Sequence, residues 1–212
     1  MEPHNRPNSP SSHSEFSLSD DSVAKAIEWS PLVKGGANFR THKLKKVGYH
    51  IYVSSPTVGY HIFYGLFILF GIGVLVLAAL RLDGSLLLLG MLLFMASIFV
   101  GVGVYLMLKA INPFTIDLDL GTFYIGRSYN PLDDNSDGSS GSVKDIHALQ
   151  LIAEHIKSEN SSYTSYELNL VLKDGRRVNV MDHGRQSKIY EEAQTLSELL
   201  GVPIWSSPQW TR

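Results

Sequence analysis

Two apolar runs without a charged residue, Ile62–Leu80 and Leu86–Leu108, stand back to back around the five residues Arg81-Leu-Asp-Gly-Ser85. At about 1.5 Å per residue they extend roughly 28 and 34 Å, against a hydrocarbon core of ~30 Å. Thirteen Leu, Ile, Phe and Val residues lie in the first run. Together they favour insertion by roughly 4 to 8 kcal/mol, with no charge opposing them. A soluble alternative would have to bury two helices apolar on every face within a chain of 212 residues. The expectation is therefore a transmembrane helical hairpin over residues 58–110, antiparallel because its turn is so short. A cleaved signal peptide is not expected, since a long polar segment precedes the first run and a second run comes at once after it.

Orientation follows from the basic residues. Lys34, Arg40, Lys43, Lys45 and Lys46 precede the hairpin and Lys109 ends it, whereas the turn offers only Arg81, offset by Asp83. Such a bias places a multi-pass protein in the inner (cytoplasmic) membrane with both termini in the cytoplasm. The lack of cysteine fits that side. Tyr60, Tyr64 and Tyr105 fall near the ends of the runs, where amphipathic rings favour the interface. Gly71, Gly73, Ser97, Gly101 and Gly103 are the candidate helix-packing residues, and Ser97 and Gly101 have small-xxx-small spacing. They serve the hairpin itself or a second copy of the chain, which leaves a homo-oligomer open. Neither run holds an ionisable side chain, which argues against an ion or proton path.

The flanking segments differ in character. Residues 1–22 are dominated by Ser, Pro, Asn and His and read as a disordered tail. The pre-membrane segment, 23–57, holds one or two strands, since Tyr49, Ile51 and Val53 alternate with His50, Tyr52 and Ser54 between Phe39 and Pro56. Gly35-Gly36 and Gly48 punctuate it. Past Asn112-Pro113, the period of two predicts strands over Phe114–Leu120, Phe123–Ile125, Ile146–Ile156, Tyr166–Leu172 and Arg177–Met181. A Ser-, Gly-, Asp- and Asn-rich loop spans Ser128–Ser142. Asp174-Gly175 is a hairpin signal because both residues tolerate positive φ. Ile189, Ala193, Leu196 and Leu200 recur at helical spacing, with Gly201 placed as a C-cap and Pro203 beyond it. Residues 206–212 are left as a tail.

With both ends in the cytoplasm, the one or two strands of Phe39–Ser54 can pair with the five later ones. The sum is an α+β cytoplasmic domain, centred on 111–205, with a curved sheet or partly open barrel of about seven strands and a C-terminal helix. That count and order resemble the pleckstrin-homology-like domain that some bacterial two-span membrane proteins carry beside a transmembrane hairpin. The resemblance covers 112–205 and rests on element order. The stretch Glu192-Ala-Gln-Thr-Leu-Ser-Glu-Leu-Leu-Gly-Val-Pro-Ile-Trp205 looks like the ending of such chains, and also like that of the two-span photosystem I assembly factors of cyanobacteria and plastids. Either resemblance implies a scaffold or assembly role without catalysis.

Reactive side chains form no recognisable set. Asp133, Asn135, Asp137 and Gly138 open like a calcium-binding EF-hand loop, but Ser140 replaces the apolar eighth position and Lys144 the bidentate Glu at the twelfth, so calcium is not expected. His147 and His155 share a strand face but stand roughly 26 Å apart. His42, His50 and His61 are spread along the chain, and His183 falls in the turn before the last helix, so no metal ion or other cofactor is expected. No Ser sits in a nucleophile elbow and no Gly-rich phosphate loop is present. Asp117 and Asp119 share a strand face and read as surface carboxylates. The basic cluster Lys34, Arg40, Lys43, Lys45 and Lys46 is the candidate for lipid-headgroup contact, at about 1 kcal/mol per cation near an anionic leaflet. Nucleic acid is disfavoured by a net charge of −2. These readings favour a non-enzymatic, membrane-anchored interaction or assembly module whose partners are the bilayer and another protein. An anionic-lipid sensor using Lys43, Lys45 and Lys46, or an anchored enzyme using Asp117, Asp119 and the histidines, are the alternatives.

Overall fold

The computed structural model describes residues 21–80, 85–126, 128–130 and 139–210. In chain order, a short helix α1 (Ser22–Ala26) precedes strands β1 (His42–Lys46) and β2 (Ile51–Pro56), and two long apolar helices come next, α2 (Val58–Leu80) and α3 (Leu86–Ala110). Then come β3 (Phe114–Asp117), β4 (Thr122–Ile125), β5 (Ser140–Ser142), β6 (Ile146–Lys157), β7 (Ser162–Leu172), β8 (Arg177–His183), helix α4 (Gln186–Leu200) and β9 (Ile204–Ser206). The EF-hand-like residues 133, 135, 137 and 138, the tail 1–20 and Arg81–Gly84 lie outside the described residues.

Helices α2 and α3 are long and apolar enough to cross a membrane. Gly71, Val74 and Ala78 on α2, and Ala96, Gly103 and Ala110 on α3, are buried at the heptad-like spacings of two helices packed along a seam. The seam needs glycine at two crossings. A Cβ on Gly71 would lie 2.6 Å from Val100 Cγ2 and 3.0 Å from Val100 N, and one on Gly103 would meet Ile68 at the same two distances. Gly73 and Gly101 have open space instead, and Ser97 is exposed, its hydroxyl turned back onto the Phe94 carbonyl at 2.7 Å. The five candidate packing residues thus split: Gly71 and Gly103 join the hairpin, while Gly73, Ser97 and Gly101 face away from it.

The strands form two sheets, one of five in the order β1-β2-β3-β4-β5 and one of four in the order β8-β7-β6-β9. All pairings are antiparallel except β6 with β9. Among the described residues nine strands stand where about seven were expected. Ser140-Gly-Ser142 carries no apolar signal, and β9 is three residues held by parallel pairing to β6, so neither announces itself by periodicity. Strand β2 pairs with β3 across the whole intervening hairpin, Ile51 opposite Asp117. The apolar helices are therefore an insertion between neighbouring strands of one sheet.

Alternation sorts the second sheet into two faces. Leu149 and Leu151 of β6, Leu168, Leu170 and Leu172 of β7, and Val178 and Val180 of β8 enter one core with Phe114, Ile116 and Phe123 of the first sheet. Ile189, Ala193 and Leu196 of α4 close it, and Gly201 caps that helix at φ 67°. Trp210 joins the same core, so residues expected as a tail are packed. In the β7–β8 hairpin only Gly175 takes positive φ, 84°, while Asp174 does not, and Leu172 N donates to Arg176 O at 2.8 Å. The connection is a three-residue turn with one left-handed glycine rather than a two-residue turn with two.

The opposite face is polar yet not solvated. Gln150 and Asn169 are 0% exposed and Glu167 is 4% exposed, because residues 21–39 cross that face as a strap. Glu167 accepts from Leu32 N and Val33 N at 2.9 and 2.8 Å. Gln150 donates to Glu28 O at 3.0 Å, Arg177 to Ser30 O at 2.7 Å, and Tyr163 to Gly36 O at 3.0 Å. Ala24 and Ile27 add an apolar contact with Ala148, Val171 and Trp205. Asp21 and Ser22, expected in the disordered tail, instead begin α1: the Asp21 carboxylate accepts from Val23 N and Ala24 N and meets His147 Nε2 at 2.7 Å.

Candidate functional site

Where the strap, both sheets and the hairpin meet there is a cavity of about 990 Å³. Its walls come from distant parts of the sequence: residues 33–39 of the strap, Thr41 and His42, Tyr60 and Phe63 of α2, Tyr105, Leu106, Leu108 and Lys109 of α3, and Asn179 to Asp182 of β8. Its lining mixes aromatic and aliphatic side chains with polar ones, among them Asn38, His42, Asn112, Asn179 and Asp182. Convergent polar groups in a largely apolar surround are typical of small-molecule sites.

The joint around it is stiff. Strand β2 ends at Pro56 and α2 starts at Val58, leaving Thr57 alone between them. Its hydroxyl donates to Arg40 O at 2.7 Å and accepts from Tyr60 N at 3.3 Å, while its own N–H donates to Thr41 O at 2.8 Å. Phe39 packs on Phe63 with ring centroids 5.2 Å apart, and His42 lies 5.4 Å from the Tyr60 ring. Two glycines let the strap reach this position. A Cβ on Gly36 would lie 2.2 Å from Ser165 Oγ and 3.0 Å from Asp182 Oδ2, and one on Gly184 would lie 2.3 Å from the Asn38 carbonyl. Gly184 N also donates to Phe39 O at 3.1 Å, and Thr41 Oγ1 to Asp182 O at 2.6 Å.

The cavity holds an unusual set of charges. Burial pushes the Asp182 carboxyl above its ordinary 3.8, although the Lys109 ammonium and the Ala37 N–H pull the other way. Burial, reinforced by His183 and Lys109, holds the His42 imidazole down at about 4 against an ordinary 6.5. His42 is therefore neutral at pH 7. Among the described residues, neither Lys109 nor Asp182 belongs to an ion pair. Opposite charges thus line one cavity without contacting each other.

Residues singled out from the sequence are placed unequally. Lys34 lies at the exposed rim of the cavity. Arg40 is engaged by the buried Glu192 of α4. Lys43 and Lys45 are exposed on β1, and Lys46 stands over the Tyr52 ring at 5.7 Å. Lys43, Lys45 and Lys46 thus stay together on β1, while Arg40 is drawn to α4 and Lys34 lies on the strap. Asp117, expected on the surface, is 6% exposed, its carboxylate turned back to accept from Asp119 N and Leu120 N. Asp119 remains exposed and meets His50 at 2.7 Å. His155 meets Thr164 at 3.3 Å and His61 meets Tyr64 at 2.7 Å. His183 is not in a turn but ends β8, fully buried, with Nδ1 accepting from Arg185 N and Nε2 3.8 Å from Glu192 Oε2. Among the described residues no three His, Asp or Glu gather as a metal-ligand set.

Sequence reasoning overlooked Asp182, which is next to last in β8 and carries no motif, and counted Lys109 only as a topology signal. The signal that could have marked them is their position, one at the end of an apolar helix and the other two residues before the glycine of a predicted turn. No family model matches the chain, and neither the curated proteins nor the solved structures contain one detectably similar to it.

Proposed function

We propose that the chain is a non-enzymatic integral protein of the inner membrane, in which a two-span hairpin with cytoplasmic termini carries a PH-like binding module. The junction cavity is its site, and the ligand is an amphiphile drawn from the cytoplasmic leaflet. The observation that carries this reading is the cavity's construction. Tyr60, Phe63, Tyr105 and Leu106 at the ends of the apolar helices share it with the polar Asp182, Asn179 and His42. An apolar wall continuous with lipid and a polar wall continuous with the cytosol suit a molecule that has both characters. In support of the PH-like reading, β3 to β8 form two antiparallel sets that precede α4 within residues 112–205, with β1, β2 and β9 as additions. An enzymatic reading lacks support, because Asp117, Asp119, His147 and His155 each sit in a separate local contact.

The chain has no cysteine, so single-cysteine reporters are unambiguous. Ser161→Cys should be labelled by an impermeant maleimide only from the cytoplasm and Ser85→Cys only from the far side; the reverse pattern overturns the topology. Native mass spectrometry of the full chain released from micelles should reveal a bound phospholipid. A chain that emerges bare, in gentle detergent and at low activation, overturns the reading of the cavity.

A second reading, an assembly module with a protein partner or a second copy, draws on Gly73, Ser97 and Gly101. These face outward with room for another helix. Ser97→Cys should then form a disulfide-linked dimer or partner adduct in membranes, and its absence under oxidising conditions counts against that contact.

A further inference from the structure

We propose that the junction cavity selects a phospholipid whose headgroup carries both a phosphate and a primary amine, the phosphate meeting Lys109 and the ammonium meeting Asp182. This assignment rests on the reading of the cavity as an amphiphile site and names the class of amphiphile.

Charge complementarity carries it. Lys109 ends α3, where a cation also complements the exposed carbonyls of the helix terminus. Asp182 faces the same space from β8, and one edge of its carboxylate is already engaged by Ala37 N. A purely anionic headgroup would gain Lys109 and the rim cation Lys34 but bring its charge against Asp182. A purely cationic one would face the reverse. A zwitterion satisfies both groups, and a primary ammonium offers three N–H donors to the carboxylate and to the Asn side chains that line the cavity, where a quaternary ammonium offers none. His42 contributes no competing cation, since it is neutral at pH 7. The acyl chains leave between Phe63 and Leu106, along the apolar helices and into the leaflet.

A carboxylate withdrawn from water resists ionisation, which is the direction in which Asp182 is displaced even with Ala37 N and Lys109 acting on it. An incoming ammonium adds a charged donor in direct contact, so headgroup recognition and relief of this penalty are the same event.

The test uses the full chain in micelles of a nonionic detergent. It is titrated with phosphatidylethanolamine, phosphatidylglycerol and phosphatidylcholine, each bearing the same fluorophore on one acyl chain. Phosphatidylethanolamine should bind about tenfold more tightly than either of the others. Asp182→Asn should erase its advantage over phosphatidylglycerol, and Lys109→Gln should weaken all three lipids, since each carries the phosphate. Lys109 is exposed, so its substitution leaves the fold intact. Equal affinity for the three lipids, or tighter binding of phosphatidylglycerol or phosphatidylcholine, overturns the headgroup assignment while leaving an amphiphile site. Binding of none of them overturns the site itself.

Discussion

Glu167→Ala should release the strap while leaving the sheets folded. The wild-type carboxylate accepts two strap amides, Leu32 N at 2.9 Å and Val33 N at 2.8 Å, and a third bond from the Asn169 amide. Hydrogen bonds to a charged group contribute about 1.5–3 kcal/mol each. The two backbone bonds alone therefore account for roughly 3–6 kcal/mol, with the true loss limited to the docking free energy of the strap, since released amides regain water. Taking the lower end, amide exchange over residues 22–39 should accelerate by roughly 100-fold. Exchange in β6 and β7 should change much less, because their leucines remain in the shared core. Hydrogen exchange with peptide-level mass spectrometry measures both. Glu167→Gln keeps one acceptor but turns an amide N–H toward a donor, so an intermediate effect is expected. Unchanged protection of residues 22–39 in Glu167→Ala would refute the assignment of this buried carboxylate as the clasp. A global loss of protection would refute the independence of strap and core.

Gly71→Ala should destabilise the hairpin by about 1–3 kcal/mol, because its Cβ would meet Val100 N at 3.0 Å, whereas Gly73→Ala should stay within about 0.5 kcal/mol; thermal unfolding in detergent ranks the two, and equal losses would dismiss the seam. His42 is held at about 4 when folded and returns to 6.5 when unfolded, so the unfolded chain binds the extra proton between those values and stability falls as pH drops from 6.5 toward 4. His42→Asn should flatten that part of the pH profile, with Lys109, His183, Glu192 and His61 as the charged neighbours that set the remainder. Asp182 acts in the opposite sense, its raised value stabilising the fold at low pH and losing that contribution as pH rises through it. The difference between wild type and His42→Asn therefore isolates the histidine, and identical profiles would dismiss its burial as the cause.

Legibility in the sequence tracked the range of the interaction. Gly201 and the Ile189, Ala193, Leu196 stripe were readable because a helix repeats its environment every three or four residues. The leucines of β7 were readable because a strand repeats its own every two. Asp117 was misjudged by the same rule, since alternation assigns a face but cannot say that a carboxylate will turn back to cap the next turn. Alternation equally could not tell that the second face of β6 and β7 is covered. Glu167, Asn169 and Gln150 look like ordinary solvent-facing residues until the strap, some 120 to 135 positions earlier, is laid across them.

By itself the sequence determined the two apolar helices, their close antiparallel return, and the mixed strand and helix character of the segment after them, because each depends on neighbours within a few residues. That strands on the two sides of the hairpin could pair was an expectation of the sequence. Only the tertiary structure decided that the partners are β2 and β3, Ile51 opposite Asp117, and that the N-terminal segment straps the second sheet. It alone brought Lys109 and Asp182 to one cavity, 73 residues apart in the chain. Those outcomes depend on which surfaces fit when the whole chain closes, and no local period encodes that.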